Sequence, residues 1–410
     1  MKDPTGTPPF RSKFMHTSNA LSVCMLVTNF DAATGGVQRN SRLLLSELGK
    51  RGIKTFVYTR NYAGLPSNEL VNGTYVQRSR VIKRSVILSS FFYLAGAVIW
   101  LIRNRHRYDL IHCQQMFGSA MAAALAGFVV RKPVVVRVTL SGHRGEVNEV
   151  KSVALAGLRL SLLGRVSKWV ALSSEMKAEI EQITEGENKV TVIYNATDIP
   201  SEAAFDQATK AQFRSKLDLG NNKLVVFAGR LSEDKGLDIL IAAWAHVCGI
   251  HPGSRLLLLG EGGEYRNTES ETKRMVAELK LENSVSFLGH VDEVKQYILA
   301  SDIFVLPSRW EGMSNALVEA FACGATIVAS DIGANREICE DGINSLLFPV
   351  GDVRALATAI VKLMDEPSMA VALGKAARNK AEKVLTVDKM INSYIETYRE
   401  LCSGSSSHGH

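Results

Sequence analysis

The sequence predicts an α/β protein made of two doubly wound domains, each with a parallel sheet covered by helices on both faces. Short apolar runs of strand length alternate with helical patterns along most of the chain. The alternation forms two series, and each series opens with an apolar strand followed by a glycine turn. A chain of 410 residues, 46% of them hydrophobic and 22% charged, also exceeds what one core usually serves.

The first series opens with a strand near residues 21–27, which leads into a loop containing Gly35 and Gly36. A leucine-rich helical pattern follows and stops at Gly49 and Gly52. Further strands are predicted at 55–58, 110–113, 134–138, 169–172 and 190–193. We assign this series to a first domain at 20–200, preceded by a disordered arm at 1–19 that lacks the apolar segment of a signal peptide.

A polar segment after Asn195, containing Pro200, predicts the hinge. The second series has predicted strands at 224–228, 255–259, 284–288, 303–306, 326–329 and 345–348, with helices at 237–247 and 315–323 among them. We assign it to a second domain at 205–386. A last helix at 387–402 is predicted to join the first domain, before a disordered tail at 403–410. Because ligands of such sheets bind at the carboxyl ends of strands, we expect the site in a cleft between the domains.

Charge is unevenly distributed, although the formal net charge is only +7. Residues 1–200 contain 26 Lys and Arg against 13 Asp and Glu, whereas residues 201–410 contain 22 against 28. This asymmetry favours an anionic partner for the first half, or equally a solubilising surface. Six cysteines are scattered without a Cys-x-x-Cys pair, which is typical of buried thiols in a reducing cytoplasm.

Two apolar runs, 86–102 and 116–130, lie in the basic half of the chain. The first carries no charge, but it is slightly shorter than the roughly 20 residues that a membrane span requires. We interpret both as helices that cover a core. A second interpretation is that these helices contact an anionic membrane surface. The protein would then be cytoplasmic and bound peripherally to the inner face of the membrane.

The segment from Pro307 to Gly324 is the most informative for chemistry. A strand ends before it, a loop holds Glu311, and a helix starts around Ser314, so that Glu319 lies more than one turn inside the helix. The amides of Gly312, Met313 and Ser314 and the helix N-terminus favour an anionic or hydroxyl-rich ligand. A capping loop with a solvated helix face is the alternative.

Three other segments follow strands of the same series. Gly229-Arg230 and Lys235-Gly236 combine a glycine turn with two cations, which suits a diphosphate, although both could be ordinary surface cations. Gly260 opens a Gly-x-Gly-Gly turn after a second strand rather than a first, which argues against a dinucleotide fingerprint. The end of another strand carries His290 and Val291, whose backbone could pair with a base edge.

In this order and spacing, the four segments resemble the donor half of retaining glycosyltransferases of family 4, which have the GT-B fold. The resemblance runs from Val225 to about Pro367 and includes Glu311-x7-Glu319, the hallmark of that family, and Gly-Arg-Leu-Ser-x-x-Lys-Gly. The first half resembles the acceptor half more loosely, through the glycine loop and short motifs ending at His112 and Asp198. The resemblance implies two Rossmann-like doubly wound domains that face a central cleft.

The resemblance also implies roles for individual residues. Arg230 and Lys235 would bind the donor diphosphate and offset charge on the departing nucleotide. Glu319 would hold the ribose hydroxyls, and Glu311 would lie beside the donor sugar. The remaining donor-binding positions implied are Gly35 and Gly36 from the opposite domain, Gly229, Gly260, His290 and Val291 around phosphates and base, and Gly312, Met313, Ser314, Asn315, Ala316 and Leu317 around the sugar.

The family retains the anomeric configuration, usually by a front-face route in which the leaving phosphate helps to deprotonate the acceptor. This route requires neither an enzyme nucleophile nor a metal, and the sequence has no Asp-x-Asp motif. We therefore expect no cofactor and no metal. The expected donor is a uridine diphosphate sugar, because such donors are common in the family, and the expected acceptor is a saccharide or lipid-linked saccharide of cell-surface polysaccharide biosynthesis.

Family members often place a histidine after a strand of the acceptor half. His143 is the candidate here, displaced by a glycine-containing turn, and a surface loop histidine is the alternative reading. His112, at the end of an apolar strand, is predicted to be a core residue. Two other functions stay open: a nucleotide-sugar epimerase of the same fold, and a regulator that binds nucleotide or nucleic acid. The basic half shows no aromatic nucleic-acid motif, so no nucleic acid is expected as a partner.

Overall fold

A computed structural model describes residues 20–31, 35–62, 64–81, 85–142, 145–152, 156–184, 188–202, 207–263 and 266–404. The described residues form two sheets with helices between most successive strands. Six of the fourteen strands named below are completely buried, which is why apolar runs mark them in the sequence.

The first sheet has eight strands in the order β3-β4-β2-β1-β5-β6-β7-β8. Their bounds are β1 Ser22–Leu26, β2 Lys54–Arg60, β3 Asn68–Val71, β4 Thr74–Ser79, β5 Leu110–Cys113, β6 Val134–Arg137, β7 Lys168–Ala171 and β8 Val190–Val192. The pairs β1–β2, β1–β5, β2–β4, β5–β6 and β7–β8 are parallel, whereas β3 pairs with β4 in antiparallel orientation.

The second sheet has six strands in the order β11-β10-β9-β12-β13-β14, and all of its pairs are parallel. Their bounds are β9 Leu224–Ala228, β10 Arg255–Leu259, β11 Val285–Gly289, β12 Ile303–Leu306, β13 Ile327–Ser330 and β14 Leu346–Phe348. Successive strands are added on one side of the sheet from β9 to β11 and on the other side from β12 to β14. The strand order therefore diverges between β9 and β12, and this is where ligands of open α/β sheets bind.

Helices connect the strands of both sheets. Those before β9 are α1 Gly36–Lys50, α2 Val86–Arg103, α3 Gly118–Val130, α4 Glu146–Ser152, α5 Ala156–Leu163, α6 Ser174–Glu181 and α7 Gln207–Lys216. Those after it are α8 Leu237–Ile250, α9 Glu269–Glu278, α10 Val294–Ala300, α11 Asn315–Ala322, α12 Gly333–Arg336, α13 Val353–Asp365, α14 Pro367–Val384 and α15 Val387–Gly404. In the described part of the chain, no helix has the length and apolar character needed to cross a bilayer.

The chain divides into two compact units, which we call unit 1 and unit 2. Unit 1 contains the chain up to Arg137, Ser161–Lys168 and the chain from Glu396 onward. Unit 2 contains Val138–Leu160 and Trp169–Ile395. In unit 2, the buried side chains of Trp169, Trp244, Phe227 and Phe304 are among the largest of the core.

The predicted fold class, with parallel sheets and alternating helices, is confirmed. Each predicted strand is present, with ends that differ by no more than two residues. The sequence interpretation missed β3 and β4, a hairpin at the edge of the first sheet whose turn is Asn72-Gly73. Helix α15 also continues through Gly404, into the residues predicted as tail. The domain boundaries at 200–205 and the cleft between domains stay predictions.

Candidate active site

The candidate site of unit 2 lies at the carboxyl edge of the second sheet, where glycines let the ends of three strands approach closely. The amide of Gly229 donates to the Leu259 carbonyl at 2.9 Å, and that of Gly260 donates to the Gly289 carbonyl at 2.8 Å. A β-carbon on Gly260, whose φ is +133°, would collide with the carbonyl oxygen of Gly229. Only glycine allows this spacing, so two predicted donor-binding glycines are adjacent.

Lys235 follows β9 and ends a short 3-10 turn, Glu233–Lys235. Gly236 comes next in the left-handed region at φ +64°, and a β-carbon there would collide with the Pro307 carbonyl oxygen. This close approach brings the end of β9 against the loop that follows β12. Lys235 and Glu311 therefore meet at the point where strand order diverges, because β9 and β12 are neighbours in the sheet.

The Lys235 ammonium lies 2.5 Å from Glu311 Oε1, and both side chains are largely buried. Ser308 donates from its hydroxyl to the same carboxylate oxygen at 2.7 Å, and Ser330 donates to the Ser308 carbonyl at 2.5 Å. A buried carboxylate is stable only when it is paired and hydrogen-bonded. Glu311 is thus held in a defined position by one cation and one hydroxyl.

Arg230 and Asp234 complete the charges around Lys235. Asp234 lies 3.6 Å from the Lys235 ammonium and 3.9 Å from the Arg230 guanidinium, which is 56% exposed. Burial by itself would raise the pKa of the Asp234 carboxyl, but the nearby cations and hydrogen bonds outweigh it and lower that pKa. The exposed Arg230 head remains accessible to an anionic ligand.

Arg309 ties the Lys235 turn to the loop that carries Glu311. Its backbone amide donates to the Asp234 carbonyl at 2.7 Å, and its guanidinium binds the Asp238 carboxylate with two contacts of 2.6 and 2.8 Å. The Arg309 hydrogen bonds lower the pKa of the Asp238 carboxyl. The sequence interpretation did not identify this pair, since nothing in the spacing distinguishes it from surface charges.

Helix α11 presents its N-terminus beside Glu311. Ser314 is the N-cap, and its hydroxyl accepts from the Leu317 amide at 3.4 Å, as the predicted helix start near Ser314 requires. The loop residues Gly312 and Met313 are buried, as is Glu319 inside the helix. The partial positive charge of the N-terminus therefore adds to the two cations. Asn315, Ala316 and Leu317 form the first turn of the helix.

Residues from earlier in the chain hold this loop within unit 2. Asn195 donates from its amide nitrogen to the Met313 carbonyl and to Asn315 Oδ1, both at 2.9 Å, and Ser141 donates to the Glu311 carbonyl at 2.9 Å. A β-carbon on Gly312 would collide with the Thr139 carbonyl oxygen. Of these supports, the sequence interpretation quoted Asn195 only as part of a hinge motif and missed Ser141 and Thr139.

His143 and Arg144 lie outside the described residues, so the role of His143 stays a prediction. The residues on either side are well anchored: Glu146, which is buried, accepts from the amide and the hydroxyl of Thr139, and Glu179 accepts from the Gly142 amide at 2.8 Å. Burial raises the pKa of the Glu179 carboxyl.

His290 and Val291 follow β11 at the same edge of the sheet. The His290 amide donates to Glu261 Oε1 at 3.1 Å, and its ring lies 3.3 Å from Asp292 and is exposed. Glu261 thereby links the ends of β10 and β11. The predicted contact of His290 and Val291 with a nucleotide base stays a prediction.

Two predicted donor-binding residues, Gly35 and Gly36, and the predicted core residue His112 lie in unit 1. Gly35, at φ +134°, is the N-cap of α1, and Gly36 is its first residue, so this helix N-terminus follows β1. His112 is fully buried and lies 2.6 Å from the Tyr398 hydroxyl, which confirms that it is a core residue. Among the described residues, no group of histidine, cysteine and carboxylate side chains has a metal-binding arrangement.

Two family models match the chain. The model described as Glycosyltransferase Family 4 matches residues 34–200, and the model described as Glycosyl transferases group 1 matches residues 209–380. Together they span most of the chain and meet near the predicted hinge.

Two relatives and a solved structure agree with these matches. The N-acetyl-alpha-D-glucosaminyl L-malate synthase of Bacillus anthracis is 22% identical over 87% of this chain and 91% of its own. The UDP-Gal:alpha-D-GlcNAc-diphosphoundecaprenol alpha-1,3-galactosyltransferase of Escherichia coli is 26% identical over 73% and 78%. The crystal structure of Anabaena Alr3699/HepE in complex with UDP-glucose superposes with a TM-score of 0.77 at 23% identity, covering 93% of this chain and 100% of that one.

The fold, the two matched models and the relatives lead to one assignment. Two α/β units with parallel sheets fit the GT-B fold, and the matches extend over both halves of the chain. The chain belongs to the glycosyltransferases of the family 4 type.

Proposed function

We propose that this glycosyltransferase moves a hexose from a uridine diphosphate sugar onto a saccharide or lipid-linked saccharide, with retention of the anomeric configuration and without a metal. The observation that carries the proposal is the Lys235–Glu311 pair, with Arg230 beside it, at the diverging point of the second sheet. Cations at this place suit a diphosphate, and a positioned carboxylate suits sugar hydroxyls.

The leaving group explains why positive charge is needed. When the bond between the anomeric carbon and the phosphate oxygen breaks, negative charge develops on the nucleoside diphosphate. Lys235, Arg230 and the N-terminus of α11 would stabilise that charge, which a metal ion supplies in other enzymes. Glu319, buried inside α11, would accept hydrogen bonds from the ribose hydroxyls.

In the proposed front-face step, the acceptor oxygen bonds to the anomeric carbon on the face that the phosphate leaves. The acceptor proton passes to the departing phosphate oxygen, so no enzyme nucleophile is consumed. Glu311 would orient the sugar, since Lys235 and Ser308 keep its carboxylate in place. His143 and the Gly35-Gly36 turn are proposed to contribute from the acceptor side.

Donor and acceptor classes rest on the relatives. HepE was crystallised with UDP-glucose, and the name of the Escherichia coli relative specifies UDP-Gal and a diphosphoundecaprenol-linked acceptor. We extend these chemistries to the present chain: a uridine diphosphate hexose as donor, and a polyprenyl diphosphate-linked saccharide as acceptor, in assembly of cell-surface polysaccharide. No nucleic acid takes part in this reaction.

The test is a transfer assay with purified full-length protein, radiolabelled uridine diphosphate sugars and GDP-mannose, and a short polyprenyl diphosphate-linked N-acetylglucosamine. We expect a labelled product only when donor and acceptor are both present, an α-anomeric signal in its proton spectrum, and an unchanged rate in excess EDTA. Interconversion of the donor alone would instead indicate an epimerase. A β-linked product would refute retention, and loss of activity in EDTA that magnesium restores would refute metal independence.

A further inference from the structure

Helix α2 exposes an apolar stripe. At 100° per residue, Leu88, Phe92 and Ile99 lie within about 40° of one another on the helix, and Phe91 lies next to them. All four are at least half exposed. A solvent-facing stripe normally carries polar side chains, so an apolar one of this size indicates a surface that binds something.

The opposite side of α2 already packs on the core of unit 1. Ser89, Tyr93, Ala97 and Leu101 recur at intervals of four residues, and all are buried. The exposed stripe is therefore separate from the side of the helix that packs on the core. The helix is apolar on both sides, and the side facing away from the sheet has no neighbour among the described residues of unit 1 that covers it.

Helix α3 adds a second exposed stripe, with Leu125, Phe128 and Val129 on one side of the helix. The chain moves in the same direction across the sheet from β4 to β5 and from β5 to β6. Right-handed crossovers then place α2 and α3 on the same face of the sheet. The two helices pack together, and Gly118 at the start of α3 lies against Leu94 of α2. We call the combined surface of the two stripes the α2–α3 face.

Cations border this face where both helices end. The Arg165 guanidinium lies 3.8 Å from the centre of the Phe128 ring, beside a cavity of about 630 Å³ that Ser167 and Leu401 also line. Residues 71–145 contain eleven Lys and Arg but a single acid, Asp109. We call the following residues the basic rim: Arg103, Arg105, Arg131, Lys132 and Arg165.

We propose that the α2–α3 face docks on an anionic lipid bilayer. Its apolar side chains would lie at the boundary between headgroups and acyl chains, and the basic rim would lie at the phosphate headgroups. Apolar area together with Lys and Arg is the combination that interfacial helices use. A second copy of the same face would fit worse, because α2 and α3 contain no carboxylate to pair with the basic rim.

The experiment is co-sedimentation of the full chain with vesicles, without donor or acceptor, so that its outcome is independent of the transfer reaction. We expect binding to phosphatidylcholine vesicles containing phosphatidylglycerol, and at least about tenfold weaker binding to phosphatidylcholine alone or at high salt. Phe91→Ser with Phe92→Ser, and Arg103→Glu with Arg105→Glu, should each reduce binding about tenfold or more.

Matched controls separate the face from general charge and apolarity. Lys50→Glu with Arg274→Glu makes the same change in net charge at exposed positions elsewhere, and Ile250→Ser with Val371→Ser removes exposed apolar side chains of unit 2. Both should bind vesicles like the unmodified protein. Equal loss of vesicle binding in the controls, or vesicle binding that does not depend on anionic lipid, would overturn the proposal. So would light scattering that shows a dimer which Phe91→Ser with Phe92→Ser converts to monomer while vesicle binding persists.

Discussion

Lys235 connects two buried carboxylates, with its ammonium 2.5 Å from Glu311 and 3.6 Å from Asp234. If it also binds the donor diphosphate, Lys235→Met removes charge where the leaving group forms. Loss of one such preorganised partner reduces turnover by about 100-fold or more. We therefore expect kcat/KM for sugar transfer to fall by about 100-fold or more, measured by steady-state kinetics with the donor varied.

A lysine in a comparable ion pair provides the control. Lys380 lies 2.9 Å from Glu340, and both side chains are partly exposed. Lys380→Met should leave kcat/KM within about twofold, since surface pairs contribute little. Circular dichroism of both variants checks that they are folded. A fall of less than about threefold for a folded Lys235→Met would exclude Lys235 from stabilising the departing nucleotide.

The sequence located the charged residues of the site better than their supports. Arg230, Lys235 and Glu311 follow strand ends, a position that the alternation of apolar runs makes visible. Ser308 and Asn195 are different, because a serine or an asparagine near a loop has no distinctive pattern. Their hydrogen bonds to Glu311 and Met313 exist only once the chain has folded. Asn195 and Met313 also lie 118 positions apart, and residues so far apart cannot be paired from one sequence.

Among the elements, buried parallel strands were the most predictable. Each is covered on both faces and is read as a continuous apolar run, as in β9 and β12. The edge hairpin of β3 and β4 was missed because neither strand is a continuous apolar run: β3 alternates exposed with half-buried residues, and β4 alternates buried with half-buried ones. Both strands also lie outside the βα pattern. Asn72-Gly73 was a usable signal, since that dipeptide favours two-residue hairpin turns.

A glycine directly precedes helix α8, and its replacement tests how the site is built. Gly236 has φ +64°, and a β-carbon would collide with the Pro307 carbonyl oxygen. Gly236→Ala must therefore adopt a left-handed conformation and separate the two loops. We expect the free energy of unfolding to fall by about 2 kcal/mol, measured by urea denaturation. Transfer activity should also fall, because the turn holding Lys235 moves away from Glu311.

Gly249, near the end of the same helix, is the matched control. A β-carbon there meets nothing within 4 Å, and alanine is the better helix former. Gly249→Ala should raise the free energy of unfolding by up to about 1 kcal/mol and leave activity unchanged. If Gly236→Ala were as stable and active as Gly249→Ala, the close approach at Pro307 would not be what positions Lys235.

At the scale of the whole molecule, unit 1 is assembled from distant parts of the chain. Residues 396–404 of unit 1 belong to α15, and Tyr398 of that helix contacts His112 near the end of β5. Gln114 lies 3.4 Å from the other ring nitrogen, and Arg137 donates to Gln114 at 3.0 Å. This buried network fastens α15 to the first half of the chain. The sequence analysis predicts that this helix joins the first domain, but no local pattern predicts which residues it contacts.

The network makes stability depend on pH. Burial, and then the charge of Arg137, lower the pKa of His112 from 6.5 to about 3. Below about pH 6.5 this histidine binds a proton in the unfolded chain but not in the folded chain. It therefore destabilises the fold as pH falls from 6.5 towards 3. Between about pH 7 and pH 5 the free energy of unfolding falls by about 2 kcal/mol for this reason.

We expect His112→Asn to remove that share of the pH dependence of urea unfolding. Tyr398→Phe, which keeps the buried imidazole, should retain most of it, because burial is the larger cause. Equal pH dependence in His112→Asn and the unmodified protein would show that the imidazole becomes protonated inside the fold.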